Sequence, residues 1–104
     1  MTHNVYVIEL DPAVLNRPAF REANPQHNPA KPCVYVGMTG RTPEVRFQQH
    51  REGTRSAKYV KVYGFRLRPR LYARFNPMSY ERAAEMEREL ARRLRKRGYA
   101  VWQR

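Results

Sequence analysis

The chain has 104 residues, 41% of them hydrophobic and 29% charged, with 21 Lys+Arg against 9 Asp+Glu and a formal net charge of +12. That length implies one domain, spanning 1–104, with a modest core that folds without metal or disulfide staples. The single cysteine, Cys33, excludes an internal disulfide, no His/Cys cluster has zinc spacing, and no apolar run is long enough to span a bilayer.

The charge is the first functional signal. A pI near 10.7 points to a polyanionic partner. Nucleic acid leads, with anionic membrane and ribosomal RNA behind it. Arginine dominates the cations, and its planar fork of donors fits phosphate two oxygens at a time. The opening MTHNVYVIELD lacks the pattern of a secretion signal, so the cytoplasm is the expected location.

Asn4–Leu10 reads NVYVIEL, rich in β-branched and aromatic residues, and predicts a first strand. Residues 11–32 hold five of the eight prolines. Such density forbids a long helix or a central strand, so a Pro-rich surface loop is expected, with at most a short helical turn near Val14. Residues 33–38, CVYVGM, predict a second, central strand, with Cys33 as a small buried residue. Gly37 and Gly40 then break the pattern. Thr42 as cap, Pro43 at the first helical position and Glu44 in the first turn mark a helix that stops at Gly53. A short second helix is expected between Ser56 and Gly64. Residues 65–72 alternate, with Phe65, Leu67 and Leu71 on one side and Arg66, Arg68 and Arg70 on the other, an edge strand at best because of Pro69. Asn76-Pro77 reads as a turn. Ser79 caps a long helix over 80–97 that Gly98 closes, and the tail YAVWQR is a last short strand or an apolar plug. The expected fold is α+β: a small, mainly antiparallel sheet of about three strands, flanked by three helices.

A helical wheel singles out one acid in the long helix. Taken at about 100° per residue, Tyr80, Ala83, Ala84, Leu90, Ala91 and Leu94 fall within roughly 60° of Glu87. A carboxylate on an apolar stripe is costly unless a metal, an arginine or a proton compensates it. Glu85 and Glu89 fall on the far side, within reach of Arg88 and Arg92. In the first helix Arg46 and His50 stand four apart and share a face, either a solvated one or one that addresses a phosphate. Tyr6 and Tyr35 sit centrally in two strands expected to pair.

Together these residues resemble the GIY-YIG nuclease domain. The first signature tripeptide aligns with Asn4-Val5-Tyr6 and the second with Tyr35-Val36-Gly37, followed by Arg46, His50 and Glu87 within AAEMEREL. The resemblance implies a metal-dependent endonuclease that hydrolyses phosphodiester bonds, DNA favoured over RNA, with little sequence preference. Its catalytic residues would be Tyr6, Tyr35, Arg46, His50 and Glu87. Glu87 would hold one divalent cation, Mg2+ or Mn2+. Arg46 would meet the charge growing on the phosphoryl oxygens. Tyr6 would accept a proton from the attacking water or position it, and His50 would assist proton transfer or bind phosphate. Asn4 replaces the glycine of the first tripeptide. Met38 stands where some relatives carry lysine, a charge that Arg41 or Lys58 could restore.

Arg41, Lys58, Arg66, Arg68 and Arg70 are the expected phosphate contacts, with the late cations Arg92, Arg93, Arg95, Lys96 and Arg97 alongside. Tyr59, Tyr63 and Tyr72 either stack on unpaired bases or pack in the core. No small-molecule cofactor is implied, and a protein partner could supply target choice. The alternative to an enzyme is a catalytically inactive nucleic-acid-binding module of the same fold. A third reading is a ribosome-associated structural protein.

Overall fold

A computed structural model describes residues 1–103. Its core is a four-stranded mixed sheet in the order β3-β1-β2-β4. β1 (Asn4–Leu10) pairs antiparallel with β2 (Cys33–Thr39) and with β3 (Gly64–Leu67), while β4 (Ala100–Gln103) runs parallel to β2. The helices are α1 (Pro18–Glu22), α2 (Pro43–Glu52), α3 (Val60–Tyr63) and α4 (Tyr80–Lys96). The α+β class stands, with one strand and one helix more than the sequence suggested.

Both central strands are buried almost throughout, because each face of the sheet is covered. One face carries Tyr6, Ile8, Leu10, Cys33, Tyr35 and Trp102, which the strand registers place side by side. α1, α2 and α3 lie over it: Phe20 stacks on Trp102, His50 meets Tyr6, and Val60 backs Gly64 beside Ile8. Val5, Val7, Val34, Val36 and Val101 point the other way and are all 0% exposed. The buried stripe of α4, Ala83, Met86, Glu87, Leu90, Ala91 and Leu94, packs over that side. The wheel's stripe is confirmed except at Tyr80, which is exposed, and Ala84, which is half-buried.

Capping follows the sequence closely. Thr42 accepts from the Val45 amide, Gly53 ends α2 at φ 85°, and Ser79 accepts from the Arg82 amide. Glu85 and Glu89 pair with Arg82 and Arg93, where Arg88 and Arg92 were expected.

Three expectations need correction. Residues 11–32 are not a loose loop: a 3-10 turn (Pro12–Asn16) and α1 occupy much of the segment, and Val14, Phe20 and Asn24 are buried. Pro12 and Pro18 each open their helix, where a missing amide hydrogen costs nothing. β3 ends at Leu67, because Pro69 starts another 3-10 turn (Pro69–Leu71). Phe65, assigned to the apolar side, is exposed beneath Arg66. Third, the sheet is mixed, since the tail joins it in parallel after α4 crosses back.

β4 is held on both sides. Its outward main-chain groups go to side chains: the Val101 amide donates to Asn24 Oδ1 at 2.7 Å, Tyr99 O accepts from Gln26 at 3.0 Å, and Val101 O accepts from Arg95 at 3.0 Å. Where β3 stops, Asn76 takes over along β1, accepting from the Val5 amide and donating to Val5 O, both at 2.8 Å. Burial pushes the Cys33 thiol up to about 11, as befits a packed residue and not a nucleophile. No helix among the described residues is long and apolar enough to cross a membrane.

The Asn24 clamp yields a stability prediction. Asn24→Ala should cost roughly 1–3 kcal/mol, because the buried Val101 amide loses its acceptor. Denaturant melts check this, and an unchanged midpoint would show that the clamp is dispensable.

Candidate active site

Tyr6 pairs with Gly37, and Ile8 with Tyr35, in the antiparallel register of β1 and β2. Tyr6 and Tyr35 therefore share a face, with ring centroids 6.1 Å apart. The Tyr6 ring leans across Gly37: a Cβ there would lie 2.6 Å from Tyr6 Oη and 2.8 Å from Tyr35 Cε2. The glycine of the second tripeptide is thus demanded by the tyrosine of the first. Asn4, the departure at the first tripeptide, donates to Arg41 O at 2.9 Å and ties the start of β1 to the turn after β2.

α2 brings two side chains to this pair from above. His50 is 0% exposed, with Nε2 2.9 Å from Tyr6 Oη. The guanidinium of Arg46, one turn earlier, is braced by the segment after α2. Its Nη1 donates to Thr54 O at 3.0 Å and to Gln49 Oε1 at 3.3 Å, and its Nη2 donates to Arg55 O at 2.7 Å.

A cleft of about 1010 Å³ opens at this end of the sheet, with Tyr6, Tyr35, Arg41, Arg46 and Arg55 in its wall. Among the described residues, three arginines and no carboxylate line it. Such a wall presents positive charge and guanidinium donors of the kind that pair with anions.

The structure gathers Tyr6, Tyr35, Arg41 and Arg46 at the cleft, with His50 buried behind Tyr6. His50 meets Tyr6 Oη from the buried side and is not among the residues of the cleft wall. Glu87 is buried on α4, 7% exposed, and is not part of the cleft wall. Lys58 lies instead over the rings of Tyr59 and Trp102, at 5.3 and 5.7 Å. Arg66 and Arg68 are both engaged by Glu9, at 2.7 and 2.8 Å, and Arg70 sits in the exposed turn after β3. Met38 lines the cleft without supplying a charge. Tyr59 and Tyr72 are core residues.

Arg55, Gln49 and Thr54 were not anticipated. They belong to the end of α2 and the turn beyond, where no hydrophobic period marks a role. The one available signal was that Gly53 must stop the helix close to Arg46.

Burial raises the Tyr6 phenol well above its ordinary range, and Tyr35 adds to this, while Arg46 pulls in the other direction. His50 is pushed down to about 4 by burial first and by the neighbouring Arg46 second. It is therefore a neutral ring at physiological pH.

Two predictions follow from this geometry. Gly37→Ala should destabilise the fold by roughly 1–3 kcal/mol, since Tyr6 must move to admit the methyl; thermal melts measure it, and a silent substitution would refute the close packing. The second concerns pH. His50 titrates lower in the folded chain than its usual 6.5, so between about pH 6.5 and 4 the unfolded chain binds the extra proton. Stability is full above that window and falls as pH drops through it, by on the order of 3 kcal/mol. His50→Gln should lack this increment; superimposable pH profiles for the two proteins would count against a buried neutral His50.

Compared with protein-family profiles, with curated proteins and with solved structures, the chain matches none.

Proposed function

We propose that the chain is a GIY-YIG-type nuclease that hydrolyses phosphodiester bonds in nucleic acid, DNA before RNA, with little sequence preference. The observation that carries this reading is the cleft: two tyrosines and the braced Arg46 at a wall where the described residues include three arginines and no carboxylate. Phosphate is the anion that this chemistry fits, and a polymer of phosphates suits a chain with net charge +12.

Arg46 would neutralise charge that develops on the phosphoryl oxygens, from a position already fixed by Thr54 O and Arg55 O. Arg41 and Arg55 would hold the flanking strand. Tyr6 and Tyr35 would orient the attacking water or a phosphoryl oxygen through their hydroxyls.

Among the described residues no three His, Cys, Asp or Glu side chains gather as a cation cage. The donor set for Mg2+ or Mn2+ is thus Glu87 alone, completed by water. A carboxylate oxygen suits such a hard cation, and Glu87 is the one acid among the buried polar residues. A cation held by Glu87 would supply positive charge to a phosphate that its water shell reaches, Glu87 itself standing outside the cleft wall.

Two observations favour the second reading, a nucleic-acid-binding module that does not cut. Glu87 stands outside the cleft wall, and burial holds the Tyr6 proton tightly. The deciding experiment incubates the protein with labelled single- and double-stranded DNA and RNA, in Mg2+, Mn2+ or chelator, beside Glu87→Gln and Arg46→Ala. The nuclease reading expects metal-dependent cleavage by the parent, reduced roughly 10²–10³-fold in Arg46→Ala and abolished in Glu87→Gln with binding retained. Salt-sensitive binding without cleavage under every condition would leave the binding module.

A further inference from the structure

The segment 53–58 touches both polar residues that α2 presents to the tyrosine pair. Gly53 at φ 85° and Arg55 at φ 46°, both left-handed, turn the chain sharply back after α2. Thr54 O and Arg55 O then face Arg46, and the next two residues face His50. His50 Nδ1 lies 3.3 Å from the Ala57 amide nitrogen and 3.3 Å from Ser56 Oγ.

A backbone N–H can only donate. His50 Nδ1 must therefore be a bare acceptor, because a proton on it would collide with the Ala57 hydrogen. The remaining ring proton is on Nε2, 2.9 Å from Tyr6 Oη. His50 is then the donor in that bond and the phenol oxygen is the acceptor. The Tyr6 hydrogen is turned away from His50, toward Tyr35 and the cleft.

We infer that the segment 53–58 is a positioning device: Ala57 and Ser56 hold His50 as its Nε2–H tautomer, which fixes the orientation of the Tyr6 hydroxyl, while Thr54 and Arg55 hold the guanidinium of Arg46. His50 is a positioning residue in this arrangement and takes no proton from Tyr6, since its Nε2 is already occupied. The role of the oriented hydroxyl in cleavage rests on the nuclease reading; the tautomer does not.

The test has two arms. Long-range 1H–15N spectra of 15N-labelled protein, with His50 assigned by its loss in His50→Gln, should show a bare Nδ1 and a protonated Nε2 from pH 6 to 8. A proton on Nδ1, or a ring averaging between tautomers as in a free histidine, overturns the inference whatever the protein's activity. The second arm compares cleavage by His50→Gln and His50→Leu. Glutamine can place an amide N–H near the position of Nε2 and should restore most of what leucine loses. A glutamine variant as impaired as the leucine one, by roughly 10²-fold or more, would mean that His50 transfers protons, and would overturn the positioning role. A parent that cuts nothing defeats the nuclease reading, and the spectra alone then decide the tautomer.

Discussion

Tyr6 and Gly37 face each other across the central strand pair, and the phenol ring occupies the space that any other residue at 37 would fill. Much of the site follows from this contact. It brings the Tyr6 oxygen toward α2, where His50 meets it. It sets Tyr35 beside Tyr6 on one face, and a register slip of one residue would send the two to opposite sides. Such a slip would also move Val5, Val7 and Glu9 onto the face that α1, α2 and α3 cover, where the packing is built for Tyr6, Ile8 and Leu10, so the core and the site defend the same register.

The parts of the fold legible in the sequence are those with local causes. Thr42, Pro43 and Gly53 bound α2, Ser79 opens α4, and the wheel placed Glu87 on the buried stripe, all by rules that act within a turn or two. What escaped was decided at a distance. The prolines of 11–32 argued against structure, yet two of them start helices whose Val14 and Phe20 fill the core. The alternation over 65–72 argued for a strand, but after the Arg68 amide donates to Val7 O the chain turns at Pro69, and the side chain of Asn76 takes the next place along β1. Of the candidate site, Tyr6, Tyr35, Arg46 and His50 could be named in advance, because two short motifs and one helical spacing carry them. Arg55 could not, because a turn whose shape depends on two left-handed residues leaves no periodic trace. Lys58, Arg66 and Arg68 were named for charge alone; Trp102, which Lys58 covers together with its neighbour Tyr59, and Glu9, which engages both arginines, lie far away in the sequence.

The acids are distributed unevenly with respect to the cleft. Glu9 is committed to Arg66 and Arg68, and Glu85 and Glu89 to Arg82 and Arg93. These exposed or half-exposed pairs contribute little stability. None of these acids is among the described residues of the cleft wall, where Arg41, Arg46 and Arg55 stand. The partners that brace the Arg46 guanidinium are neutral, the carbonyls of Thr54 and Arg55 and the amide of Gln49.

The outer side of β4 has a consequence for how copies of this chain meet. A terminal strand normally offers a ladder of free amides and carbonyls onto which a second molecule can zip. Here Asn24, Gln26 and Arg95 have already taken the rungs at Tyr99 and Val101, and the opposite border of the sheet is the short β3 with Arg66 and Arg68 at its end. Two such borders brought together would set arginine against arginine. A strongly cationic protein that collects on a polyanion is concentrated to levels at which sticky sheet borders would polymerise. In this chain the segment 24–26, which the prolines made look like slack, occupies the outer rungs of β4 that a second strand would need.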